Sequence, residues 1–419
     1  MPAVDGPLAV FRSKKIFLLL LLGFSSGLPL ALTAGTLQAW LAAKNVDIVA
    51  IGWFALVGQP YTYKFLWAPL MDRYVPPFLG RRRGWLLITQ LALASSIAFM
   101  GTLTPANSAW LLGGTALAVA FLSASQDIVF DALRTDSLER EERGAGAAVS
   151  VLGYRVAMLV SGAGALILAD QWLGWSATYW LMAALMGVGM LATWFVVEPA
   201  PVGAAPQSLD EAVAKPFAEF FSREGALALL VLVVLYKLGD AFAGNLTTTF
   251  LLRGPGFSLT EIGAINKGFG LAATILGALA GGALMAKMRL YHALLVFGIL
   301  QAITNLGFML LAASGKSYAL MVTVIGLENL CGGMGTAAYV ALLMALCDRR
   351  FSATQYALLS ALSAVGRVYV GPGAGYLVAG FGWTQFFFFT FLIALPGLAL
   401  LMWLRARIDA LDSAERRSA

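Results

Sequence analysis

The sequence predicts an all-α membrane protein in which twelve transmembrane helices form two pseudo-symmetric six-helix halves. Three observations carry this expectation. Of the 419 residues, 60% are apolar and only 12% charged, about half of the roughly 25% charged residues in a soluble domain. The apolar residues gather into runs near the ~20 residues that a helix needs to cross a bilayer. Pieces of the first half recur 211–212 residues later.

The runs fall at 16–38, 49–70, 84–104, 110–132, 146–169, 176–197, 226–250, 260–286, 290–313, 318–346, 354–379 and 383–404. The first is too long for a cleavable signal segment and leads into further spans without a small-residue cleavage site, so no leader is expected. The second carries Tyr61, Tyr63, Lys64 and Trp67, and the third follows Arg81–Arg83. The fourth starts at Trp110 and ends in the polar stretch Ser125-Gln126-Asp127 to Asp136. Arg155 lies in the fifth. After the sixth comes the longest connection, 199–224, with Pro199, Pro201, Pro206 and Pro216. It reads as a cytoplasmic linker between an N-terminal half, 1–198, and a C-terminal half, 225–419. The seventh span holds Lys237, Asp240 and Asn245, the eighth Lys267, the tenth Glu328 and Asn329, and the eleventh Arg367 and Gly371-Pro372-Gly373. That Gly-Pro-Gly step is a hinge or a plain packing feature.

The positive residues orient the chain. With the N-terminus inside, the cytoplasmic side holds 20 of the 28 Lys and Arg, including Arg12, Lys14, Lys15, Arg73, Arg81–Arg83 and Arg134. Lys44, Arg253 and Lys316 lie opposite. Both termini are expected in the cytoplasm. The net charge of +6 does not indicate nucleic-acid binding, because the positive residues sit in short loops between spans. Cys331 and Cys347 fall on one predicted span, so no disulfide framework is expected. The single histidine, His292, has no metal-ligand cluster around it.

The repeat is visible in residues. Val-Asp-Ile-Val-Ala-Ile-Gly (46–52) resembles Phe-Ser-Leu-Thr-Glu-Ile-Gly (257–263), and Arg155-Val156 meets Arg367-Val368 at an offset of 212. Two parallel six-span halves are a transporter architecture.

The remaining charges lie inside spans. Lys64, Arg155, Lys237, Lys267 and Arg367 face three acids, Asp127, Asp240 and Glu328, which leaves a surplus of two positive charges. Ionisable groups at that depth face cavities or partners. By helical rise, Asp127 is ~25 Å below Trp110 in a ~30 Å core. Asp131, one turn further, reaches the interface, and Arg134 and Asp136 lie at the mouth. A water-filled cavity that receives an anionic solute accounts for the surplus. Arg presents a fork suited to carboxylate or phosphate, so Arg155 and Arg367 lead the substrate-binding candidates. Lys64, Lys237, Gln126, Asn245 and Asn329 follow, with Tyr61, Tyr63 and Trp67 able to stack on a sugar ring. The plainer alternative pairs the charges with one another, Lys237 with Asp240 and Asp127 with Arg155. Exchange of such pairs between two states satisfies both. Asp127, Asp240 and Glu328 are the candidates to carry a coupling proton. Glycines such as Gly153, Gly162, Gly164, Gly277, Gly281 and Gly282 read as sites of close helix contact. Trp40, Trp53, Trp67, Trp110, Trp172, Trp175 and Trp383 read mostly as interface anchors.

Two resemblances follow from these residues. Ala68-Pro69-Leu70-Met71-Asp72-Arg73, followed by Gly80-Arg81-Arg82-Arg83, resembles the loop G-x-L-x-D-R-x-G-R-R between spans two and three of the major facilitator superfamily. Ala68 replaces the first Gly, and Val75–Leu79 are inserted. The resemblance implies a cytoplasmic gate of Asp72 and Arg73, with Arg134 as partner and Asp131 beside it. The segments at 23–32, 36–41, 64–74, 125–132 and 153–157 further resemble AmpG-type muropeptide permeases. This implies a proton-coupled symporter that imports anhydro-muropeptides, GlcNAc-anhydroMurNAc peptides, from periplasm to cytoplasm by alternating access. It implies a place in the bacterial inner membrane, in peptidoglycan recycling and in β-lactamase induction. The expected partners are substrate, protons and membrane lipids, with no nucleic acid and no cofactor beyond the proton gradient. One chain supplies a complete pathway, so a monomer is expected. A transporter of another anion, a nucleotide-linked acyl carrier or sugar phosphate, is the alternative. A membrane-embedded enzyme fits poorly, because no catalytic cluster gathers at one interface.

Overall fold

The computed structural model describes residues 13–138, 143–198, 221–222, 225–285, 287–346 and 352–418. The predicted linker, 199–224, lies outside them apart from 221–222. Among the described residues ten helical stretches are long and apolar enough to cross a membrane. The last, Ala361–Trp403, spans 43 residues, about twice one bilayer crossing. It turns at Gly382, whose φ of 77° and ψ of 175° only glycine adopts without strain. Predicted spans eleven and twelve are therefore two helices that meet at a glycine corner, where the sequence reading divides them.

Predicted span two is the departure. It is broken into α3 (Ile48–Trp53), a 3₁₀ turn at Phe54–Gly58, α4 (Gln59–Tyr63), a second 3₁₀ turn at Lys64–Leu66 and α5 (Ala68–Arg73). Pro60 and Pro69 stand in the first turns of α4 and α5, where a missing N–H costs nothing and a helix restarts. Before it, α1 (Lys14–Thr33) and α2 (Gly35–Ala43) form the first span.

The chain forms two compact units. The first comprises the described residues within Met1–Lys44 and Val57–Ala205. There α1 packs along α8 (Arg143–Leu159), while α6 (Arg81–Thr102) packs on α7 (Pro105–Ser137) and α10 (Gly174–Phe195). Between α8 and α10, a π-helical segment at Val160–Gly164 leads into α9 (Ala165–Gln171). Glycine allows the α1–α8 approach, since a Cβ on Gly153 would fall on the carbonyl oxygen of Leu20. The N-terminus of α6 is closed by Glu198, which accepts the N–H groups of Arg82 at 2.8 Å and Arg83 at 3.0 Å. Trp110 and Trp172 are almost wholly exposed, as anchors would be. Trp40 is not an anchor: it is 2% exposed, stacks on Trp175 at 5.7 Å and meets Tyr179 in a tilted contact at 4.9 Å.

The second unit comprises Asn45–Leu56 and the described residues within Pro206–Ala419. Its helices are α11 (Ala226–Tyr236), α12 (Leu238–Arg253), the single turn α13 (Leu259–Glu261), α14 (Gly270–Met285), α15 (Leu290–Ser314), α16 (Tyr318–Ala345), α17 (Ser352–Trp403) and α18 (Arg405–Ser418). A π-helical segment, Ile262–Phe269, joins α13 to α14. Helix α14 lies along α16, where a Cβ on Gly277 would fall on the carbonyl oxygen of Leu330. Gly282, by contrast, faces open space. Phe250, Phe308 and Phe387 pack as a buried aromatic group with centroids 4.7–6.2 Å apart. Gly371 and Pro372 run on as helix, and Gly371 abuts Gly52 and Ala55 of the α3 segment. The step therefore packs, and the corner falls at Gly382.

Candidate functional site

Each unit carries one polar cluster on its apolar spans. In the first unit the cluster starts from two adjacent serines of α1. Ser26 donates to the Asp127 carboxylate on α7, and Gln126 Nε2 donates to Ser25 Oγ at 3.4 Å. Ser25, Ser26 and Gln126 are buried. Lys64, in the 3₁₀ turn of the broken span, lies within electrostatic reach of Asp127. Tyr61 and Asp131 share that reach. The Tyr61 hydroxyl faces Ser123 and Thr33, and Gln126 Oε1 is buried without a hydrogen-bond partner among the described residues. Trp67 Nε1 donates to Ser125 Oγ at 3.0 Å, and its ring rests on Phe121. Tyr63 is half-buried next to Lys64. The break in the span thus sets Tyr61, Lys64 and Trp67 against the polar end of α7.

Asp127 does not pair with Arg155. Arg155 is exposed on α8 and meets only Met158 Sδ, at 3.8 Å. The pairing alternative therefore fails for this couple among the described residues.

At the end of α7, Arg134 pairs with Asp131 at 3.0 Å on its own helix and lies over the Phe130 ring. Arg82 pairs with Asp136 at 3.0 Å. The side chains of Asp72 and Arg73 lie outside the described residues. Arg82 and Glu198 were not selected from the sequence, although the Arg81–Arg83 run marked the place.

In the second unit the seventh span breaks at Lys237, which caps the end of α11 and the start of α12. Lys237 Nζ donates to Asp240 at 3.2 Å and to Gln301 Oε1 at 3.3 Å. Here the expected pairing holds. Glu328 accepts from Asn329 Nδ2 at 2.8 Å, and Asn329 Oδ1 accepts from Thr274 at 2.9 Å. Lys267 donates to Thr248 Oγ1 at 2.9 Å. Glu328 lies within electrostatic reach of Asp240, Lys237 and Lys267. Among the described residues Asn245 Oδ1 is buried with no hydrogen-bond partner, and Arg367 is exposed on α17. Sequence reasoning brought Lys237, Asp240, Glu328 and Asn329 together by charge and depth. It passed over Gln301, Thr248 and Thr274, because single amides and hydroxyls in a span carry no signal of their own.

A carboxylate beside a lysine in an apolar span exchanges partners when an anion or a proton arrives. The model of the major facilitator superfamily matches residues 19–369. The chain belongs to the major facilitator superfamily. Within that superfamily it is 57% identical to the anhydromuropeptide permease of Escherichia coli (strain K12) over 402 residues, 96% of this chain and 82% of that one. It is 35% identical to the putative transporter AmpG 4 of Rickettsia felis, over 96% of this chain and 99% of that one. A solved superfamily-like fold, a bacterial homologue of the human lysosomal transporter Spinster, superposes with a TM-score of 0.73 at 15% identity, covering 96% and 98% of the two chains. This superfamily member thus groups with the AmpG-type permeases. It is a multi-pass membrane transporter and not an enzyme.

Proposed function

We propose that the chain imports anhydro-muropeptides across the bacterial inner membrane by proton-coupled symport. The observation that carries this reading is a cation–carboxylate cluster in each unit of a chain 57% identical to the E. coli permease. The substrate is a sugar bearing a peptide with several carboxylates. Its charge matches the cationic surplus of the spans, with Arg155 and Arg367 as forked anion donors. Asp127 and Glu328 are the groups to carry the proton. Asp127 is faced by Lys64, Asp131, Tyr61 and Ser26, and Glu328 by Asp240, Lys237, Lys267 and Asn329. The loop charges support both termini on the cytoplasmic side, which puts Arg134, Asp131 and the Asp72–Arg73 loop at the inner mouth as gate residues. The test is uptake of labelled GlcNAc-anhydro-muropeptide by vesicles containing the protein. Uptake driven by an inward proton gradient is expected. Uptake of a sugar phosphate in its place supports transport of another anion and overturns the muropeptide assignment.

A further inference from the structure

Sequence reasoning counted Lys267 among the cations inside spans but not among the substrate-binding candidates, and its setting differs from that of Lys237, the other lysine of the second unit's cluster. It sits in the π-helical segment Ile262–Phe269. Such wide turns are rare and gather at functional sites, because the extra residue re-aims the side chains that follow. Lys237 is matched by direct contact: Asp240 at 3.2 Å and Gln301 at 3.3 Å. Lys267 holds only a neutral hydroxyl, Thr248 Oγ1 at 2.9 Å. Among the described residues no carboxylate stands within ion-pairing distance of its Nζ. Its nearest acid by charge is Glu328. That carboxylate is committed to Asn329 at 2.8 Å and also feels Lys237. Asn329 is in turn tied to Thr274, so Glu328 is fixed from behind.

The cluster therefore has two lysines, and one of them is left without an anion in contact. An ammonium on an apolar span is costly unless an anion completes it. We propose that Lys267 is the second unit's contact for a carboxylate of the substrate, with Glu328 as a nearby acid, held by Asn329, whose charge opposes the arriving carboxylate. The inference rests on the function proposed above, which supplies a substrate with several peptide carboxylates. It adds a substrate-contacting residue and names the group that the residue reads. Thr248, 3% exposed, orients the ammonium and does not neutralise it. A carboxylate can therefore dock without breaking an ion pair.

The experiment is equilibrium binding to the purified full-length protein, with no gradient imposed. The ligands are GlcNAc-anhydro-muropeptides with free peptide carboxylates and analogues in which each carboxylate in turn is a carboxamide. The wild type is expected to prefer the free acid at one position by roughly tenfold or more, the scale of a hydrogen bond to a charged group. Lys267→Gln is expected to abolish that preference while leaving binding of the matching amide within about twofold, as expected for a term confined to one charged contact. Glu328→Gln is expected to strengthen binding of the free acid. A wild type that binds acid and amides equally overturns the anchor without recourse to any variant. So does a Lys267→Gln protein that loses both forms in equal proportion. A wild type that binds no muropeptide overturns the proposed function and the anchor with it.

Discussion

Asp127 shows how much one side chain carries. It is the acid of the first unit's cluster, held by Ser26 and reached by Lys64. Asp127→Asn keeps the shape and the hydrogen-bond capacity but removes the exchangeable charge. Gradient-driven accumulation in vesicles is expected to collapse to the level seen without a gradient, while binding persists. Full pH-driven uptake by the variant would take Asp127 out of coupling. Arg155 offers a second test at this scale. Among the described residues its guanidinium hydrogen-bonds only Met158 Sδ, so Arg155→Ala should leave thermal stability unchanged while raising KM roughly tenfold through loss of a forked anion contact. A fall in melting temperature with KM intact would make the residue structural. Asp127, Gln126, Lys64, Lys237 and Glu328 were legible in the sequence because a charge or amide in an apolar run is conspicuous. Ser26 and Thr248 were not, since serine and threonine in helices usually bond back to their own turn. The setting of Lys267 was not legible either, because a π-helical turn has no residue signature.

Helices meet here through glycine and end through single caps. Gly153 admits α1 so closely that a Cβ would land on the Leu20 carbonyl. Gly153→Val should destabilise the protein by about 1–3 kcal/mol, the range for overpacking a tight contact, read as earlier thermal unfolding in detergent. Wild-type stability in that variant would mean the helices separate freely. Glu198 closes α6 through the N–H groups of Arg82 and Arg83. Glu198→Ala should cost about 1 kcal/mol, as loss of a helix cap does, measured in the same assay. The apolar runs located most of the spans directly. The broken second span was harder, because its residues are apolar enough for one helix while Pro60 and Pro69 restart the backbone. The corner at Gly382 falls between the predicted spans 354–379 and 383–404, so it was legible in the sequence.

For the molecule as a whole, composition, span spacing and the 212-residue repeat were enough to read a two-unit transporter. The grouping of residues 45–56 with the second unit was not readable, since it depends on long-range packing of Gly52 against Gly371 and on no local pattern. The polar residues proposed to work in transport form one cluster in each unit. The proposed anionic substrate accounts for the surplus of cations on the spans. The central claim is that these clusters serve proton-driven import of an anionic muropeptide. The most direct measurement is uptake of labelled GlcNAc-anhydro-muropeptide into proteoliposomes holding only this protein, with and without an imposed inward proton gradient. The account predicts accumulation above equilibrium that requires the gradient and vanishes when a protonophore is added. Equal uptake with and without the gradient, or no uptake at all, would contradict it.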